Sequence, residues 1–317
     1  MILIDMSNIF YRCMFVLEKL HKDEATKFNV DFKQITKDEL LPMMLKEVLS
    51  IEDKFKFDWG KVVICCDGKG NWRYDFFKEY KQKRTENKEN DERDWEYLRT
   101  LFEEIKQDIK NNTKYIVIEV PRLEADDLIA LTTKYSQEAI MIVSNDKDLN
   151  QLVDNQRIKQ FSLMSNDYVD REHHLLYEAI LTGDSGDGVP NIFSDDDHYV
   201  KEDKVRAKPV TKGMKEYFSD KILNEASLIC YINEINEKSK DKLDLNKILH
   251  NYQRNRVMID LSMIPDVYTN EYKQECIKSI ELAKSNENKH KEWVDSIINN
   301  NNSDNSEDLN LEDLFYE

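Results

Sequence analysis

No run of apolar residues in this chain approaches the roughly 20 that a helix needs to cross a bilayer. The N-terminus lacks the basic, apolar and small-residue order of a signal peptide. The five cysteines, Cys13, Cys65, Cys66, Cys230 and Cys276, show no C-x-x-C spacing, and Cys65-Cys66 falls inside an apolar run. That usage excludes a disulfide framework or a thiolate zinc site and fits reduced thiols in a cytosol. Positive charge is also short: the formal net charge is −17 over 317 residues, which at first argues against a nucleic-acid partner. These absences predict a soluble cytoplasmic protein with no membrane association. An apolar share of 40% can still build a core, and the length allows two domains or one large one.

The net charge hides two basic islands. Residues 69–84 carry six basic side chains (Lys69, Arg73, Lys78, Lys81, Lys83, Arg84) against two acidic ones. Residues 201–215 carry another six (Lys201, Lys204, Arg206, Lys208, Lys212, Lys215) against two. Such patches are either solvated helix faces or surfaces that track a phosphate backbone.

Four short apolar runs, Ile2–Ile4, residues 61–66, YIVIEV at 115–120 and AIMIV at 139–143, read as strands buried on both faces. Each is followed by a helical stretch, and strands alternating with helices predict a mostly parallel sheet covered on both sides. Ser7 and Asn8 suit the cap of the first helix. Met1 stands directly before the first strand, so no N-terminal extension is expected. Asp5, Asp67 and Asp146 fall directly beyond three of the strands, Asp148 follows at once, and Glu124, Asp126 and Asp127 lie a few residues past the fourth. Ligands of open α/β sheets bind beyond the carboxyl ends of the strands, so these acids are expected to converge.

Beyond residue 170 the pattern turns helical. Residues 173–192, HHLLYEAILTGDSGDGVPNI, read as a helix followed by a glycine-rich turn bearing Asp184 and Asp187. His173-His174 are adjacent, do not share a helix face, and read as structural. The expected division is an α/β domain over 1–170, a helical domain over 171–285, and a disordered acidic tail over 286–317 that ends in an apolar LNLEDLFYE.

Carboxylates at this density repel one another unless cations lie between them. Oxygen donors without His or Cys select magnesium or manganese, and two such ions roughly 4 Å apart suit attack of water on a phosphodiester. The motifs EADD, SNDKDLNQL and GDSGDGVPN, in that order after a strand-end Asp-Gly, resemble the 5′-nuclease (flap endonuclease) family over residues 1–285. WRYDFFKEYKQKR and the long insertion after the glycine-rich turn are most similar to its bacteriophage ribonuclease H branch.

The resemblance implies a 5′-nuclease (PIN-like) α/β fold with a helical C-terminal domain carrying a helix–turn–helix DNA-binding motif. It also implies a two-metal 5′-to-3′ exonuclease and flap endonuclease that removes RNA primers. Asp5, Asp67, Glu124, Asp126, Asp127, Asp146 and Asp148 would hold metal, and Asp184 and Asp187 would complete the second site. Mg2+ is the expected cofactor, with Mn2+ able to substitute. Residues 71–110 would form an arch over the 5′ strand. There Arg73, Lys81 and Arg84 would face the scissile phosphate, Lys81 and Arg84 carrying the chemical step with Asp67 and Asp146, beside a base-stacking Tyr80. Lys204, Arg206, Lys208 and Lys212 would meet DNA or an RNA–DNA duplex.

The segment Phe193–Thr211 replaces the family's compact glycine-rich hairpin and puts that motif's monovalent-ion site in doubt. Leu311, Leu314 and Phe315 resemble the terminal peptides of phage polymerases that bind a sliding clamp. A single-stranded-DNA-binding protein is a further expected partner. Two other readings stand beside this one. A catalytically idle flap-binding protein fits poorly with every acidic position being filled. A magnesium-dependent phosphatase would want D-x-D at the first strand, where Asp5-Met6-Ser7 lacks the second Asp.

Overall fold

The computed structural model describes residues 1–28, 33–170, 176–201, 208–219 and 221–300. His173, His174, Lys204, Arg206, Leu311, Leu314 and Phe315 lie outside the described residues.

Two compact units emerge: Met1–Gly70, Asp94–Asp170 and Asp266–Glu317 form the first, and Asn71–Arg93 with Arg171–Pro265 the second. The first is built on a six-stranded sheet in the order β3-β2-β1-β4-β5-β6. Its strands are β1 (Ile2–Asp5), β2 (Val62–Cys66), β3 (Ile116–Glu119), β4 (Ile140–Val143), β5 (Ile158–Ser162) and β6 (Asp167–Tyr168). All neighbours pair in parallel except β5 with β6. The first four are the strands read from the sequence. The other two are not legible there: Lys159 and Gln160 break the apolar run of β5, and β6 is two residues long and exposed.

Apolar side chains fill both faces of the sheet. Ile2, Ile4, Val62, Ile64, Val117, Met141 and Val143 share one core with α1 (Met6–Phe28), α2 (Lys37–Trp59) and α4 (Trp95–Asn112). The alternate residues Leu3, Val63, Ile118 and Ile142 are equally buried, and α5 (Ala125–Tyr135) packs on β1, β2 and β3. Cys13, Cys65 and Cys66 are buried and unbridged.

The last helix of this unit, α10 (Val267–Asn300), departs from the expected tail. Its composition from residue 286 is polar, yet Asn286, His290 and Val294 are buried at a spacing of four. Asn286 donates to the carbonyls of Lys110 and Thr113, both at 3.1 Å, where α4 ends. His290 meets the Tyr115 ring edge-on at 5.1 Å, and Trp293 and Ile297 reach the main core. A four-residue spacing on one face orders this stretch despite its composition.

The second unit contains α3 (Gln82–Glu89), α6 (Leu176–Thr182), α7 (Lys212–Ser219), α8 (Glu225–Lys238) and α9 (Leu245–Ile259). Ile180, Leu181, Ile192, Met214, Phe218, Leu228, Ile232, Ile248 and Tyr252 form its core. Among the described residues no helix is long and apolar enough to cross a membrane. Of the stretch expected to form an arch, residues 71–93 belong to this unit, whereas α4 buries Leu98, Leu101, Ile105 and Ile109 in the sheet unit.

Candidate functional site

The strand order reverses at β1: β2 and β3 lie to one side, β4 and β5 to the other. Such a switch point leaves a crevice beyond the carboxyl ends of the strands. Asp5 ends β1, in register with Cys65 of β2, while Ile4 pairs with Val143 of β4. Asp5, Asp67 and Asp146 are therefore delivered to one edge. Burial, then the charges of Asp67 and Asp146, push the Asp5 carboxyl up to about 7, against hydrogen bonds from Asn8 and Ser144.

Glycine makes one of these placements possible. A Cβ on Gly68 would lie 1.9 Å from the Val120 carbonyl oxygen, so only glycine allows the loop after β2 to close on the loop after β3. The Gly68 N–H donates to the Leu123 carbonyl at 2.8 Å. With the two loops joined, Asp67 accepts from the Ala125 N–H at 2.8 Å, at the start of α5.

Several carboxylates are engaged locally. Ser7, expected to cap α1, donates instead to Asp67 at 2.6 Å. Asp146 accepts from the Asp148 N–H at 2.8 Å and caps the short turn that follows. Asp127 is fully buried and accepts from the Glu124 N–H at 3.0 Å, so here it serves the N-terminus of α5 rather than facing outward. Glu124, Asp126 and Asp148 are half-buried. Among the described residues, no three of these side chains stand close enough to hold one ion as they are oriented. By chemistry the set still fits a hard divalent cation, being all oxygen with a buried carboxylate crowded by two others.

A supporting layer was not legible in the sequence. Ser144 donates to Asp5 at 3.4 Å and accepts from the Asp146 N–H at 3.1 Å. Gln160 on β5 donates to the carbonyls of Ser144 and Asp146 at 3.1 and 2.6 Å. Asn145 bonds Asn8 at 3.0 Å and accepts from Ser162 at 2.9 Å. The only available signal was small polar residues directly beyond apolar strands.

Asp184 and Asp187 stand in the second unit, on the turn after α6. Gly183 has φ +72 and no room for a Cβ, which would lie 2.3 Å from the Val189 carbonyl oxygen. Asp184 accepts from the Gly186 and Asp187 N–H groups at 2.7 and 3.3 Å. The Asp187 carboxylate meets three of the residues expected to face nucleic acid: Arg84 at 2.6 Å, Tyr80 Oη at 3.0 Å and Lys81 Nζ at 3.8 Å. Lys81 has φ +56, unusual for a residue with a side chain, and its N–H donates to the Asp187 carbonyl at 2.8 Å.

Two expected contacts are corrected by burial. Tyr80 is 2% exposed and offers no open face for a base; its ring lies in an apolar cluster with Phe77, Val189, Met258 and Ile259. Arg73 is 3% exposed, donates Nε to the Met258 carbonyl at 3.2 Å, and lies over the Trp72 ring. A bulky apolar neighbourhood claims both side chains, and alternation of basic and aromatic residues cannot distinguish that from an open stacking surface. Exposed aromatics are present nearby instead, at Tyr74 and Phe76. The second basic island is partly neutralised, Lys201 by Asp195 and Asp197 and Lys215 by Glu178. Lys208 and Lys212 remain exposed, Lys212 beside Glu216.

A mostly parallel sheet with acids delivered to its switch point, and a helical unit with an acidic glycine-rich turn, define a nuclease-like α/β protein. Residues 1–178 match the model of the 5′-3′ exonuclease N-terminal resolvase-like domain, and the chain belongs to that family. It is 30% identical over 216 residues to the ribonuclease H of Enterobacteria phage T4, covering 65% of this chain and 66% of that protein. It is 27% identical over 204 residues to a 5′-3′ exonuclease of Buchnera aphidicola, covering 60% of this chain and 64% of that protein. Among solved structures, a flap endonuclease of bacteriophage T5 in complex with DNA and metal ions superposes with a TM-score of 0.59. That match has 15% identity and covers 89% of this chain and 98% of the other. A T5 protein co-crystallised with metal ions gives 0.58 at 17% identity, with the same coverage. At these identities the likeness to the T5 structures is one of fold.

Proposed function

We propose that this chain is a divalent-metal-dependent 5′ nuclease. It hydrolyses phosphodiesters at 5′ ends and 5′ flaps of DNA and RNA–DNA duplexes, as primer removal in phage-type lagging-strand replication requires. The observation that carries this reading is the delivery of Asp5, Asp67 and Asp146 to one edge of the sheet at its switch point. Family membership and the names of the phage T4 and Buchnera relatives support the substrate class.

Asp5, Asp67, Glu124, Asp126, Asp146 and Asp148 would hold the metal, with Asp127 fixing Glu124 at the head of α5. Asp184 and Asp187 are assigned to the second ion by resemblance alone. Two Mg2+ ions, or Mn2+ in their place, would generate the attacking hydroxide and neutralise charge developing on the phosphate. Lys81 and Arg84 would contribute charge-assisted hydrogen bonds to phosphate oxygens, the fork of Arg84 being suited to two at once. Ser7, Ser144 and Gln160 keep the carboxylates and their loops oriented, as supporting residues of metal sites do. Lys208 and Lys212, with Lys204 and Arg206, would add sequence-independent attraction to the duplex. The work would be done in the cytoplasm, where replication intermediates are met.

Cleavage of end-labelled nicked, primed and flap duplexes with Mg2+, Mn2+ or a chelator tests the reading, with a phosphate monoester as control. Asp126→Asn and Asp146→Asn should each lower cleavage at least about 100-fold, the upper range for losing even a supporting residue. DNA binding should persist or tighten, because a repelling charge is gone. Cleavage near the parental rate in either variant, or hydrolysis of the monoester alone, would overturn the assignment. The apolar tail tests separately. Deleting residues 309–317 should leave cleavage of free oligonucleotides intact and remove stimulation by a loaded clamp, and equal stimulation of both forms refutes that role.

A further inference from the structure

The side chain of Arg254 on α9 is 3% exposed, and oxygen surrounds its guanidinium. Nη2 donates to the carbonyls of Pro190 at 2.8 Å and Asn191 at 3.3 Å. Nη1 reaches the Asp196 carboxylate at 2.5 Å, Asn251 Oδ1 at 3.3 Å and the Ser194 carbonyl at 3.5 Å. Nε donates to Asn255 Oδ1 at 3.0 Å, and the Phe77 ring stands 5.6 Å from the guanidinium carbon.

The neighbouring amides of α9 continue the pattern. Asn251 donates to the carbonyls of Ile192 and Ser194 at 2.9 and 2.8 Å, and Asn255 donates to that of Ile180 at 2.7 Å. Carbonyls on both sides of the turn bearing Asp184 and Asp187 therefore converge on one helix. Carbonyl dipoles brought together around a buried point repel unless a cation or donors lie between them. The insertion supplies the counter-charge itself: Asp196 also meets His250 at 3.5 Å, and Asp195 meets Lys247 at 2.5 Å.

We infer that Arg254 is a built-in cation, its guanidinium holding together the carbonyls of Pro190, Asn191 and Ser194 where a monovalent metal ion would otherwise be needed. The arrangement makes Arg254 a positioning residue: buried and engaged by backbone carbonyls, it fixes the backbone from which the acidic turn emerges. Arginine suits this place because it stays charged when buried and aims five donors in fixed directions. The shape of the turn follows from the contacts alone, whereas the consequence for DNA rests on the nuclease reading.

The test measures thermal midpoint and flap-duplex affinity at constant ionic strength, with potassium, sodium or tetramethylammonium as the only monovalent cation. For the parent protein, both quantities should be the same in all three. Arg254→Ala should lower the midpoint and weaken duplex binding by about tenfold, the scale of one charge-assisted hydrogen bond. Millimolar guanidinium should restore both, and potassium should restore more than tetramethylammonium does. Arg254→Met, which fills the space without charge, should not be restored. A parent that loses stability or binding when potassium is withdrawn would overturn the inference. So would an Arg254→Ala protein equal to the parent, or one that folds yet ignores both cations. If Arg254→Ala does not fold, the parental cation series still decides, and Arg254→Lys should be intermediate. A parent that binds no flap duplex at all would sink the nuclease reading and leave the thermal-midpoint arms in force.

Discussion

The carboxylate of Asp187 lies 2.6 Å from the guanidinium of Arg84, so an acid expected to meet a metal and a base expected to meet a phosphate meet each other. Tyr80 and Lys81 join the same carboxylate. In this arrangement Asp187 occupies the position of an anion among groups that phosphate would need. A phosphate engaging Lys81 and Arg84 must displace it, and a cation engaging Asp187 must release them. On the proposed reading, the two binding events would favour one another.

Asp187→Asn should expose that competition. With the carboxylate gone, phosphate no longer competes with Asp187 for Lys81 and Arg84, and a flap duplex should bind several-fold more tightly in chelator. The slope of log affinity against log salt should steepen by about one phosphate contact, near 0.9 for duplex DNA. Fluorescence anisotropy across a salt series checks this, and weaker binding with an unchanged slope would show that the ion pairs do not restrain the two bases.

Lys81→Ala distinguishes a catalytic contact from a binding one. An interaction made mainly in the transition state appears in the rate of the chemical step, and uniform binding appears in affinity. The single-turnover rate on a flap substrate should fall by more than the affinity does. An unchanged single-turnover rate with a shallower salt slope would reduce Lys81 to a phosphate-tracking charge.

Glu39 carries a pH dependence of stability. Burial works against its charge, but hydrogen bonds from Lys33 and from the Thr36 hydroxyl and N–H, with His21 alongside, hold its carboxyl down at about 2, from an ordinary 4.5. A depressed carboxyl stabilises the fold above its unfolded pKa, and that contribution is lost as pH falls through the folded one. Glu39→Gln should therefore lower the thermal midpoint at pH 7, and the gap to the parent should close between about pH 4.5 and 2. A gap that persists at pH 2 would point to shape rather than charge.

Val294→Ala tests whether the far half of α10 belongs to the sheet unit. Val294 is 4% exposed, and removing its two methyl groups from a packed site should cost about 2 kcal/mol in denaturant unfolding. A loss under about 0.5 kcal/mol, the range of surface substitutions, would mean that this stretch contributes little to the core.

The amino-acid order alone determined the four apolar strands, their parallel pairing, and the acids at their carboxyl ends, because period and strand-end position are local properties. Asp5, Asp67 and Asp146 were readable for that reason. Tertiary structure decided what each polar side chain touches: that Arg73 and Tyr80 turn inward, that Asp127 caps a helix, and that Ser7 serves Asp67. It also decided that residues 286–300 are helical, since a composition suited to disorder says nothing of partners such as Lys110, Thr113 and Tyr115, all more than 170 positions away from theirs on α10. The pairing of Asp187 with Arg84 was likewise hidden, because charges 103 positions apart in the chain select one another only after the backbone has brought them within a few ångströms, where Coulomb attraction is strong.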